Sequence, residues 1–205
     1  MARTPRTRTA RQTADRVLDG ALELFNRDGT ARVTTNHIAA HVGISPGNLY
    51  YWYADKPEII RALWTRFADA HGVLWEAPEG PPPGPDQVLA RLSAATELSR
   101  TYRFLARDML ALVHGDPELH AAYVANREHR LAALTGLARS WRASGVIRAV
   151  DDDRLEDVVR ALWILAETWW SFAELDSAEG DPDPRVGENL LRAVIEPYLS
   201  TGRAT

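Results

Sequence analysis

The chain contains no cysteine, which excludes a disulfide framework, a thiolate zinc site and a cysteine nucleophile, and suits a reducing compartment. Long apolar runs are also missing. The longest, Ala161 to Ala173, is about 13 residues and holds Glu167, short of the roughly 20 that a bilayer-spanning helix needs. The arginines near the N-terminus precede no apolar segment of the kind a secretory signal carries, so a cytoplasmic location with no membrane partner is expected. The G-x-S-x-G spacing occurs at Gly43 to Gly47, but between two segments of helical periodicity and not after a strand, and G-x-x-x-x-G-K does not occur, so neither the strand-turn-helix nucleophile nor the phosphate-cradling loop is indicated. No enzyme activity and no cofactor are expected.

What is present fits a folded chain of 205 residues, 45% hydrophobic and 25% charged. The formal net charge of -4 conceals an asymmetry. Residues 1 to 56 carry eight Arg or Lys against five acids, about +3, which leaves about -7 for the remainder. Only the first part is suited to phosphates, and its basic stretch Arg3 to Arg11, with Pro5 and several threonines, reads as a mobile arm.

Strict alternation of apolar and polar residues is never sustained, whereas three- and four-residue spacing is frequent, so the fold is expected to be all-α with about nine helices. The first runs from about Thr9 to Arg27 on Val17, Leu18, Ala21, Leu22, Leu24 and Phe25, and Gly29 stops it. Two short helices follow, Thr34 to His41 and Pro46 to about Tyr51, turning at Gly43. A helix of about 20 residues opens at Asp55, with Pro57 in its tolerant first turn and Glu58 at the capping-box position. Seven of the eleven residues from Glu76 to Asp86 are Pro or Gly, which predicts a loop. Further helices are read at about Asp86 to Leu98, Arg100 to Val113, Pro117 to Ser144, Asp151 to Leu175 and Pro184 to Ser200. Two domains are expected, 1 to 56 and 57 to 205.

Several physical requirements coincide in TTNHIAAHVGISPGNLYYWYADKPEII, Thr34 to Ile60. Ala39 is small enough for two helices to cross there, Gly43 permits the left-handed conformation that ends the first, and Ile38, Val42, Ile44 and Leu49 are spaced to face inward. Ser45 before Pro46 is a helix start. Gly47 then allows backbone to approach a phosphate or base edge, Asn48 can donate to and accept from a base, and the hydroxyls of Tyr50 and Tyr51 and the ammonium of Lys56 can reach phosphates. Together these residues predict a helix-turn-helix on duplex DNA.

This segment resembles the DNA-binding domain of the TetR family of bacterial regulators, whose pattern is close to G-[VI]-S-x-G-x-L-Y-x-[HYW]-[FY]-x-x-K; here it reads GISPGNLYYWYADK. The match runs from about Val17 to Ile60. The resemblance implies DNA contacts from Thr35, Ser45, Pro46, Gly47, Asn48, Tyr50, Tyr51 and Lys56, with Leu49 structural. Trp52 stands where histidine is frequent and Tyr53 where phenylalanine is usual, and Trp52 is read as packing. The stretch Tyr102 to Leu119 is also similar to the regulatory domain of one TetR subgroup.

For the remainder, the resemblance implies a domain that dimerises and holds a small effector. Leu162, Trp163, Ile164, Leu165, Trp169, Trp170 and Phe172 nearly encircle their helix, so one face should meet a second copy of the chain. Leu190, Leu191, Val194, Ile195 and Leu199 would complete a four-helix dimer interface. Candidate effector contacts are Tyr102, Phe104, Asp108, Met109, Tyr123, Trp141, Trp163, Glu167 and Trp170, with Asp108 and Glu167 able to select a cationic or hydrogen-bonding group. The expected function is a homodimeric repressor released from a palindromic DNA operator by a small molecule. Two rival readings are a helical adaptor whose helix-turn-helix no longer binds DNA and a metal-binding helical enzyme built on His37 and His41, an i, i+4 pair without a Glu between them or an evident third ligand.

Overall fold

The structure, a computed structural model, describes residues 8–75, 83–176 and 182–200. Among them are nine α-helices: α1 (Arg8–Asp28), α2 (Thr35–His41), α3 (Pro46–Trp52), α4 (Lys56–Leu74), α5 (Pro85–Thr101), α6 (Arg103–Gly115), α7 (Pro117–Ala143), α8 (Asp152–Asp176) and α9 (Pro184–Ile195). A 3₁₀ turn, Glu196–Tyr198, follows α9. The all-helical reading holds. The basic arm before Arg8 and most of the Pro/Gly-rich stretch fall outside the described residues.

The last helix is shorter than its periodicity predicts. It ends at Ile195, because Pro197 cannot donate to the helical ladder and tightens the chain into the 3₁₀ turn. Beyond it Ile147 and Leu199 form an antiparallel bridge, with Ser200 N–H donating to the Val146 carbonyl at 2.9 Å. Nothing in the apolar spacing of either segment announces that pairing.

Packing divides the chain into two compact units, one formed by Met1–His71 with Thr101–Ala121, the other by Gly72–Arg100 with Ala122–Thr205. The first holds α1 to α3, α4 as far as His71, and α6. Val17, Ala21 and Phe25 are fully buried on one face of α1, as are Ile38, Leu49, Ile59, Leu63 and Phe104 on the helices of the same unit. Phe25 and Phe104 pack with ring centroids 5.4 Å apart. Burying each such side chain stabilises the fold by about 1.5–3 kcal/mol relative to leaving it exposed.

In the second unit Val88, Ala138, Trp141, Ile147, Leu155, Val159 and Tyr198 form the core. Trp141 N–H donates to the Pro83 carbonyl at 2.7 Å, so its one polar atom is satisfied. Gly187 lets α9 lie close on α8, since a Cβ there would come within 2.4 Å of the Trp169 ring.

Candidate nucleic-acid interface

The first unit presents α3 on a rigid support, and most of that support is backbone chemistry. Gly43 has φ +69°, its N–H bonds the Ala40 carbonyl at 3.2 Å, and Ile44 N–H bonds the Ala39 carbonyl at 3.0 Å. Both late carbonyls of α2 are thereby satisfied by a left-handed cap that glycine adopts without a Cβ penalty. Two residues later the Ser45 hydroxyl accepts Asn48 N–H at 3.2 Å, and Pro46 occupies the position where a missing N–H costs nothing. Thr34 caps α2 in the same way, accepting His37 N–H at 3.2 Å.

Exposure then sorts the residues of α3. Ser45, Pro46, Gly47, Asn48, Tyr50 and Tyr51 are exposed, while Leu49 is fully buried and Tyr53 buried. The half-buried Thr35 shares a 3.0 Å hydrogen bond with the Tyr50 hydroxyl, which joins α2 to the reading helix. Tyr51 lies edge-on to Trp52 at 4.7 Å, and the Trp52 N–H is buried and unpartnered, consistent with packing rather than contact. Tyr53 donates to the Ala14 carbonyl of α1 at 3.5 Å, and burial pushes its hydroxyl up to about 12.

Lys56 is engaged inside the unit. Its ammonium donates to the carbonyls of Thr30 at 2.9 Å and Val33 at 3.1 Å, which ties α4 to the turn between α1 and α2. An ammonium has three donors, so one is left for a phosphate.

The close approach in the helix-turn-helix has a source that the sequence reading missed. Ala39 is buried as expected, but α1 also contributes Gly20, where an added Cβ would meet Val42 Cγ1 at 2.3 Å. A lone glycine in an amphipathic helix was the available signal. Arg16 on α1 also donates to the Val42 carbonyl at 2.6 Å.

The two histidines of the metal reading serve other ends. His41 Nε2 lies 2.8 Å from a Glu23 carboxylate oxygen, and His37 Nδ1 accepts Thr34 N–H at 3.4 Å to close a capping box. Among the described residues no three His, Cys, Asp or Glu side chains are grouped to hold a metal.

Behind the reading head, α6 is bonded to α1 at several points. The Asn26 amide donates to the Thr101 carbonyl at 2.8 Å and accepts Phe104 N–H at 3.1 Å. Arg107 donates to the Phe25 carbonyl at 2.7 Å, and Asp108 accepts the backbone N–H and hydroxyl of Thr30. Four of the nine candidate effector contacts, Tyr102, Phe104, Asp108 and Met109, thus belong to the unit that carries the helix-turn-helix. Asp108 is committed to Thr30 and Arg107. Tyr102 is buried against Phe67, with ring centroids 5.5 Å apart, and Phe104 is in the core.

The other five lie in the second unit. Trp141 is core and Trp170 almost fully buried against Trp169, edge-on at 5.2 Å. Tyr123, Trp163 and Glu167 come together: the Tyr123 hydroxyl donates to Glu167 Oε2 at 3.2 Å, and Arg130 of α7 places its guanidinium 5.5 Å from the Trp163 ring centroid and 5.9 Å from that of Trp75. Desolvation raises the Glu167 carboxyl, against the opposing pull of the Tyr123 bond and the Arg130 charge. Desolvation and then the Glu167 charge push Tyr123 up to about 12, and desolvation brings Arg130 down to about 10. Arg130 and Trp75 did not stand out in the sequence, where an arginine on a mixed-charge helix reads as solvated.

Comparison with known proteins agrees with this geometry. The family described as "Bacterial regulatory proteins, tetR family" matches residues 17–63, and that described as "Bacterial transcriptional repressor" matches 66–205. The transcriptional regulator AcrR of Shigella flexneri is 31% identical over 55 residues, 27% of this chain and 26% of AcrR, so the matched stretch spans about a quarter of that relative. A TetR-family regulator from Marinobacter aquaeolei VT8 superposes with TM-score 0.84 at 29% identity, covering 92% of each chain. A protein from Saccharomonospora viridis solved in complex with choline has the same fold, with TM-score 0.74 at 17% identity, over 93% of this chain and 99% of that one. With helix-turn-helix and C-terminal region both matched, the chain belongs to the TetR family of bacterial transcriptional regulators.

Proposed function

We propose that the protein is a homodimeric repressor that holds a roughly palindromic DNA operator with α3 and releases it when a small organic molecule binds in the second unit. The observation that carries the DNA-binding part is the sorting of α3, whose polar and small residues are all exposed on one surface while Leu49 and Tyr53 anchor the helix. Ser45, Pro46, Gly47, Asn48, Thr35, Tyr50, Tyr51 and the remaining donor of Lys56 are the proposed contacts. Asn48 suits a bidentate adenine contact, and the tyrosine hydroxyls suit phosphate oxygens.

Dimerisation is supported by an uncovered apolar surface on α8 and α9. Ile164 is 56% exposed, Phe172 68% and Leu175 82%, joined by Val186 and Leu190. Phe172, Val186 and Leu190 line one open groove with Leu165 and Trp169. Large apolar side chains clustered on two packed helices favour covering by a copy of the same surface. A two-fold dimer places two reading helices one helical turn of DNA apart, or a multiple of it.

The effector reading rests on Tyr123, Trp163 and Glu167 and on the choline bound by the Saccharomonospora viridis protein, which has this fold. Selection of genomic fragments by the immobilised protein, followed by footprinting, tests the whole proposal. The expected result is protection of two symmetric half-sites that is lost when the effector is added. Random retention of fragments, or protection of a single site by a monomer, would refute it.

A further inference from the structure

The geometry points to an organic cation as the effector: its positive group takes the place of the Arg130 guanidinium on the indole faces of Trp163 and Trp75, with the Glu167 carboxylate as counter-charge. This inference rests on the effector reading above and adds the chemical class of the ligand and the residue that it displaces.

Arg130 is 7% exposed, and its guanidinium lies over two indole rings, 5.5 and 5.9 Å from their centroids. The negative faces of aromatic rings attract a cation most strongly where water is excluded. Arg130 therefore marks, with the protein's own side chain, a position built for positive charge. It is held there at a cost, since desolvation lowers its affinity for its proton. A quaternary ammonium is weakly hydrated and loses less on entering, while the displaced guanidinium regains water.

Glu167 is exposed on α8, four residues after Trp163, and desolvation by its surroundings still raises its carboxyl above the ordinary value. The carboxylate is therefore reachable from solvent, one helical turn from the Trp163 ring. The Tyr123 hydroxyl at 3.2 Å donates to it and fixes its orientation. That arrangement disfavours an anionic ligand, which would meet the carboxylate with the nearby hydroxyl already donated. A neutral ligand gains nothing from the indole faces beyond apolar contact. A ligand cation gains from both the ring faces and the carboxylate.

Calorimetry on the full-length protein decides the point, with choline as the cation, 3,3-dimethylbutan-1-ol as its neutral isostere and benzoate as an anion. Choline is expected to bind at least tenfold more tightly than the isostere, Glu167→Gln to weaken choline at least tenfold, and Arg130→Met to tighten it severalfold by removing the internal competitor. Should Arg130→Met not fold by circular dichroism, Trp163→Leu serves instead, with a loss of roughly tenfold for choline and less than threefold for the isostere. Equal binding of choline and its isostere, weaker choline binding in Arg130→Met, preference for benzoate, or no choline binding to any folded variant would overturn the inference. Anisotropy on a selected operator keeps the two readings apart. Intact operator binding without cation binding sinks the cation alone, whereas absent operator binding sinks the repressor reading whatever the calorimetry gives.

Discussion

Asp108 and Thr30, 78 positions apart, are joined by two hydrogen bonds to one carboxylate oxygen, from the Thr30 backbone N–H at 3.0 Å and from its hydroxyl at 2.7 Å. Thr30 is 6% exposed and lies in the turn that also receives the Lys56 ammonium. Helix α6 and the support of the helix-turn-helix are thereby held as one body. Asp108→Ala strands a buried N–H and hydroxyl and is expected to destabilise the protein by about 1.5–3 kcal/mol, measured by urea denaturation. Asp108→Asn, which keeps an acceptor, should lose less. Equal stability of Asp108→Ala and the native protein would show that the pair holds nothing.

Three glycines give a graded test of the backbone. At Gly43 no atom lies within 4 Å of an added Cβ, so Gly43→Ala loses only conformational energy at φ +69°, about 1–2 kcal/mol. Gly20→Ala and Gly187→Ala instead force a Cβ to 2.3 Å from Val42 and 2.4 Å from Trp169. Both should cost more than Gly43→Ala in thermal denaturation. Gly20→Ala should in addition weaken DNA binding, because it moves α2 away from α1.

How much of this was legible in the sequence depended on whether the signal was local. Ser45 before Pro46, Gly43 and Leu49 act through their own backbone or periodicity, and each stands in the structure where that chemistry places it. Asp108 was read as an effector contact because a carboxylate on an apolar helix suggests a ligand; its partner Thr30 is too distant in sequence to be seen. The same holds for Gly20 facing Val42 and for Arg130 over Trp163 and Trp75, which depend on tertiary packing. The end of α9 was misread for a local reason, since the apolar spacing continues through Pro197 although the backbone does not.

Acid should loosen the junction at the start of α7. Asp116 pairs with Arg61 at 2.6 Å and accepts the N–H groups of Glu118 and Leu119 at 3.0 and 3.1 Å. Burial alone would raise this carboxyl, but the Leu119 bond and the Arg61 guanidinium outweigh it and hold the pKa below the ordinary value of 3.8. A depressed folded-state pKa gives stability that is fully present above the unfolded value and is lost as pH falls through the folded one. The stability difference between the native protein and Asp116→Asn should therefore be constant at neutral pH and shrink below pH about 4. A difference independent of pH down to acid unfolding would contradict the pairing.

The uncovered surface of α8 and α9 makes a prediction about assembly. Phe172 is 68% exposed in the single chain, so Phe172→Glu should barely alter a monomer's fold yet place charge within a dimer interface. Light scattering after gel filtration should report a dimer for the native protein and a monomer for Phe172→Glu. Dimeric Phe172→Glu would place the interface elsewhere.

The central claim, that the exposed surface of α3 reads duplex DNA, is tested most directly by fluorescence anisotropy against salt on a duplex selected by the native protein. The logarithm of the binding constant should fall linearly with the logarithm of salt concentration as phosphate contacts release counterions. Asn48→Ala should lose about 1–3 kcal/mol of discrimination against a substituted base pair while that slope stays the same. A salt-independent binding constant, with Asn48→Ala indistinguishable from the native protein on matched and substituted duplexes, would contradict the account.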